Sequence, residues 1–141
     1  MRDFDYYLGD KEVKKASPDK QLAISLVKDM EERASDAMKL NVSVFPKIIF
    51  ENVYDALRDF CDALLTAEGY KSYSHEGSIS FLAKKGFDVA FMSSLDNFRY
   101  KRNGSKYYAK KLSPEDAKSI IDFYNSNKGR ISEALKKVGL K

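Results

Sequence analysis

Tryptophan is absent from this sequence, and cysteine and histidine occur once each, as Cys61 and His75. A lone cysteine forms no internal disulfide, and one thiol with one imidazole is too poor a ligand set for a zinc site. Cys61 falls within the apolar pattern of a helix, so the expected setting is a reducing one, the cytoplasm. No apolar run exceeds four residues, Val89 to Met92, far short of the roughly 20 that span a bilayer. Residues Met1 to Lys15 carry Asp3, Asp5, Asp10 and Glu12 and no apolar stretch, so no signal peptide is expected. The glycines Gly77, Gly86 and Gly104 stand too far apart for a phosphate loop. Ser72, Ser74 and Ser78 surround His75, but the only acid beside it is its neighbour Glu76, which excludes a hydrolytic triad. No metal and no cofactor is therefore expected.

What is present is globular. The chain of 141 residues is 43% hydrophobic and 33% charged, enough to bury a core without staples. Its net charge of +4 hides a segregation. Residues 1–70 hold 10 Lys+Arg against 14 Asp+Glu, whereas residues 71–141 hold 15 against 7. Such a split suits a polyanionic partner for the second half, or electrostatic pairing between copies.

Prolines and glycines punctuate the chain. Pro18, Pro46 and Pro114 each open a long periodic segment, where the missing N–H costs nothing. Ser113 supplies an N-cap, and Glu115 and Asp116 place negative charge in the first turn. Gly69, Gly86, Gly104 and Gly139 follow apolar stretches as left-handed caps would. The pattern predicts an all-α, antiparallel up-and-down bundle of about five helices over residues 17–141, preceded by a tail at 1–16. The helices run from about Pro18 to Leu40, Pro46 to Ala67, His75 to Lys84, Asp88 to Asn103 and Pro114 to Val138. The first presents Leu22, Leu26, Met30, Ala34, Ala37 and Met38 on one face. The second carries Ile49, Val53, Ala56, Leu57, Phe60, Cys61 and Leu64 and is the core candidate. In the last helix Ala117, Tyr124, Ile131 and Val138 recur every seven residues. Strict alternation over strand length is missing outside the tail, so no sheet is expected. The tail reads as loosely attached, with Phe4, Tyr6, Tyr7 and Leu8 available to dock it.

One segment is a candidate for chemistry. From Arg99 to Lys111 there are six cations, no acid, and the tyrosines Tyr100, Tyr107 and Tyr108. Cations interleaved with aromatics suit a phosphate backbone and stacked bases. Arg99 lies seven residues from Met92 and Arg102 seven from Leu95, so both continue the packed stripe of the fourth helix. A charge on a packing face needs an acid, a neighbouring subunit or an anionic ligand. The plainer reading keeps these cations as a helix end that favours the dipole, with Arg99 paired to Asp55, Asp59 or Asp62.

The stretch from about Gln21 to Lys137 resembles the HEPN superfamily of small helical bundles. The resemblance rests on Leu26 to Leu40 as a first helix and Ile48 to Tyr73 as a helix rich in aromatics and acids. Tyr70 to Glu76 forms the junction, and the Arg-Asn element Arg102-Asn103 is followed by Tyr107 and Tyr108. It implies a homodimer holding nucleotide or RNA phosphates at Arg99, Arg102, Asn103, Lys106, Tyr107 and Tyr108. Relatives with Arg, then His, resemble metal-independent ribonucleases, some of them toxins, and others partner small nucleotidyltransferases. Here Tyr107 stands where that histidine is expected. Tyrosine titrates near 10 and histidine near 6.5, so the expectation is binding without cleavage and no catalytic residue. His75 is the one other candidate base. A homodimer also follows from the helices after residue 88, which carry more apolar and aromatic surface than a five-helix bundle buries.

Overall fold

Residues 1–141 are all described by a computed structural model. Six α-helices dominate: α1 (Phe4–Gly9), α2 (Lys20–Met38), α3 (Pro46–Glu68), α4 (His75–Ser80), α5 (Val89–Tyr108) and α6 (Pro114–Lys137). A 3₁₀ turn, Phe81–Lys85, follows α4 directly. The protein is an all-α bundle, and no helix is long and apolar enough to cross a membrane.

The bundle is organised around α3, which packs most extensively on α2 and then on α6. Every residue assigned to its apolar face is buried: Ile49, Val53, Ala56, Leu57, Phe60, Cys61 and Leu64. Pro46 sits in its first turn, and Gly69 closes it at φ 88°, a left-handed cap. Asp116 completes a capping box with Ser113 at the start of α6, as its hydroxyl-and-acid spacing foretells. Gly86 and Gly139 also take positive φ, at 83° and 75°.

Four expectations need correction. Pro18 does not open α2; Asp19 is the N-cap, its side chain accepting from the Leu22 N–H at 3.0 Å. Leu22 is 49% exposed, and the buried face of α2 runs through Ala23, Val27, Met30, Ala34 and Ala37. The phase explains this: at about 100° per residue, Ala23 falls close to the direction of Met30, whereas Leu22 falls about 80° away. Gly104 does not end α5, which continues to Tyr108 and stops at Ala109 with φ 54°. The carbonyl of Gly104 instead receives the Ala109 and Lys110 N–H groups, so the stop is made one turn later than the glycine suggests.

The fourth correction is a small sheet. β1 (Val13–Lys15) pairs antiparallel with β2 (Tyr70–Ser72), Val13 opposite Ser72 and Lys15 opposite Tyr70. Strands of three residues are too short to show alternation. The pairing is made by position, because the Gly69 cap turns the chain leaving α3 toward residues 13–16, and the Ala16 N–H donates to the Gly69 carbonyl at 2.8 Å. The N-terminal segment is thereby docked. Phe4, Tyr7 and Val13 join the central core, and Tyr6 remains exposed. Gly77 is what lets this segment lie against α4, since a Cβ there would come within 2.7 Å of Val13 Cγ2.

Candidate nucleic-acid interface

Helix α5 carries two faces of different character. Its first half anchors it: Phe91, Leu95 and Phe98 are buried, and Phe98 meets Phe50 of α3 edge-on at 5.9 Å. The heptad phase then directs Arg99 and Arg102 inward, as their spacing from Met92 and Leu95 requires. Their side chains are only 18% and 11% exposed.

Both arginines find acids, though not those expected for Arg99. Its Nε donates to Asp96 at 2.7 Å, and it lies 3.7 Å from Glu76. Arg102 takes Asp55, at 3.6 Å, without a hydrogen bond. The same carboxylate lies 3.8 Å from Arg33 of α2, so it is shared. The Arg102 guanidinium lies over the Tyr54 ring at 5.6 Å, and its Nε is buried with no partner. A buried donor without an acceptor is a cost the fold bears at this point.

The single histidine, set at the start of α4, belongs to this neighbourhood. Ser74 caps α4 and directs His75 back onto α3. There its Nδ1 lies 2.8 Å from the Tyr54 hydroxyl, and Arg58 donates to Nε2. The imidazole and the Tyr54 ring are parallel within 6° at 5.8 Å. Burial, then the charges of Arg58, Arg102, Arg99 and Lys106, push the His75 ring down to about 4. Burial holds the Tyr54 hydroxyl well above its ordinary range. Arg58 lies 3.5 Å from Asp62, which accepts from the Ser78 hydroxyl; burial raises that carboxyl. Beside these groups is a void of about 10 Å³, the size of one water.

The outer face is unlike the inner one. Tyr100, Tyr107 and Tyr108 are 68%, 64% and 75% exposed. Lys101 pairs with Asp116 at 2.8 Å and ties α5 to the start of α6. Lys106, Lys110 and Lys111 enter no ion pair; the Lys106 ammonium lies 5.8 Å from the Tyr107 ring, and Lys110 folds over Gly104. Asn103 lies between the two faces, half-buried. The basic segment is therefore divided. Arg99 and Arg102 form an ion-paired inner layer with His75, whereas Lys106, Tyr107 and Tyr108 stand in solvent. Tyr54 and Arg58 were not singled out from the sequence, and Asp62 was named only as an acid for Arg99. Their spacing of four residues, which puts them on one side of α3, was the available signal.

No family model matches this chain, and no curated protein or solved structure matches it either.

Proposed function

We propose that this protein is a binding module for single-stranded RNA or nucleotide, holding phosphates and bases on the outer face of α5 without cleaving them. The observation that carries the reading is the exposure of three tyrosines over two helical turns, with Lys106, Lys110 and Lys111 free of ion pairs at the end of them. Exposed aromatic rings are stacking platforms for bases of any sequence, and lysines track the phosphates between them. Arg102, its side chain 11% exposed, offers an inner contact for a phosphate at the boundary of the two faces. Membership of the HEPN superfamily is part of this proposal, supported by the helical bundle and by Arg102 on a packing face. A homodimer or, as a different arrangement, pairing with a small nucleotidyltransferase is proposed beside it, and binding on α5 requires neither.

A metal-independent ribonuclease is the second reading, favoured by one observation: His75 stands among Arg58, Arg99 and Arg102. General base catalysis needs a free lone pair on that ring, and Arg58 occupies the one on Nε2. Non-cleaving binding is accordingly preferred. Anisotropy of a labelled single-stranded RNA, titrated with the protein at several salt concentrations, tests it. Three or four phosphate contacts give a log–log slope of about −2 to −3. Affinity independent of salt, or RNA cut in the absence of metal, would refute it.

A further inference from the structure

The face of the bundle next to Arg102 carries the opposite charge. Between α2 and α3 runs an open groove of about 430 Å³, floored by Ala37, Leu40 and Ile48 and rimmed by Asp29, Glu32 and Asp36. Ile48 is half-exposed, a large apolar side chain with nothing over it. Glu32 has no cationic partner, and Asp36 has only the exposed Lys39 at 3.5 Å. The negative charge of this region also acts on Asp59 behind it. Burial first, and then Asp29 and Asp62, hold its carboxyl at about 7 against the attraction of Arg33.

Groove and basic strip are neighbours. Arg33 lines the groove, Arg102 belongs to α5, and both reach the same Asp55 carboxylate, at 3.8 and 3.6 Å. Their lengths also agree. Asp29 to Asp36 on α2 and Lys101 to Tyr108 on α5 are each eight residues long, about 10 Å of helix from end to end. Two patches of opposite charge on one chain are complementary about a two-fold axis when each copy's strip meets the other's groove. The fit is chemical as well as electrostatic. A groove with an apolar floor and an acidic rim suits a helix bearing tyrosines flanked by lysines.

We infer that the end of α5 seats in the α2–α3 groove of a second copy of this chain, so that self-association and RNA compete for one surface. Tyr107 and Tyr108 cover Ile48 and Leu40, and Lys106 and Lys110 meet Glu32 and Asp36. The carboxylates of the groove take the places that phosphates would hold. The contact forms twice by symmetry, and a stable pair needs roughly 800 Å² per copy, about a tenth of the 7762 Å² surface. The competition rests on the RNA reading above; the self-association does not.

The test uses the full chain in sedimentation equilibrium from 1 to 100 µM at low salt, with circular dichroism to confirm helicity. The parent is expected at twice 16.1 kDa, moving toward monomer as salt rises. Glu32→Lys/Asp36→Lys should be monomeric throughout, and so should Lys106→Glu/Lys110→Glu. An equimolar mixture of these two variants, in which the swapped charges face each other across one of the two contacts, should associate at least tenfold more tightly than either alone. At concentrations where the parent is paired, Glu32→Lys/Asp36→Lys should bind RNA at least threefold more tightly than the parent. A parent monomeric at 100 µM, or a groove variant that still pairs, would overturn the inference and leave RNA binding standing. Pairing as described with no RNA binding by any variant would overturn the RNA reading and the competition, and leave the self-association.

Discussion

Arg58 donates to Nε2 of His75. A guanidinium cannot accept, so the ring proton must sit on Nδ1, where it is donated to the Tyr54 hydroxyl. A second proton would turn Nε2 into a donor facing a fixed cation. The imidazole is therefore held neutral by geometry as well as by burial.

That arrangement makes stability depend on pH in a defined window. The folded ring titrates near 4 and the unfolded one near 6.5, so below pH 6.5 the unfolded chain binds a proton that the folded chain refuses. Stability falls as pH drops from about 6.5 to 4 and levels off below. Partial exposure and screening reduce the loss to about 1–2 kcal/mol. Asp59 acts in the opposite direction: with its carboxyl raised to about 7, the stability it contributes in acid is lost as pH rises from about 4 to 7. An NMR titration of the single imidazole separates the two effects. A ring that titrates near 6.5 would remove Arg58 from its side.

Two glycines inside helices should respond in opposite ways to alanine. At Gly77 the new Cβ would meet Val13 Cγ2 at 2.7 Å, so Gly77→Ala should cost about 1–3 kcal/mol by urea unfolding. At Gly104 the nearest atom is Lys110 Cδ at 3.3 Å, on a flexible side chain that can move aside. Gly104→Ala should therefore stabilise α5 by up to about 1 kcal/mol. Equal effects at the two positions would mean that the N-terminal segment does not press on α4.

The strip on α5 should separate charge from stacking. Lys106→Ala and Lys110→Ala should each lower the salt slope of RNA binding by about 0.7. Tyr107→Ala should leave the slope unchanged and lose about 1–3 kcal/mol of affinity. Arg102→Lys keeps the charge but gives up the plane over Tyr54 and the fork, so affinity should fall with the slope intact. A Tyr107→Ala protein that binds like the parent would restrict the interaction to phosphates.

Much of the fold could be read in advance where a residue's surroundings lie within a few turns of it. Pro46 and Ser113 mark helix starts by local chemistry, and the face of α3 follows from its own period. The inward turn of Arg99 and Arg102 was legible for the same reason, being a phase inherited from Met92 and Leu95. What stayed hidden depends on distant chain. His75 looks like a surface residue until the Gly69 turn brings it back onto Tyr54 and Arg58, 21 and 17 residues earlier. The end of α5 was misplaced because a glycine inside a helix and a glycine after one look alike in sequence. Ala109, which adopts the left-handed conformation, carries no sign of it.

The pairing of Val13 with Ser72 has a consequence for synthesis. Residues 1–16 leave the ribosome well before the strand and the helix they dock on. At 5–20 residues per second, the chain between them takes about 3–12 s to make. Phe4, Tyr7 and Val13 wait through that interval with their apolar surface uncovered, a target for chaperones and for neighbouring nascent chains. The N-terminal segment and α4, with His75, are thus secured together, and only once both have been made.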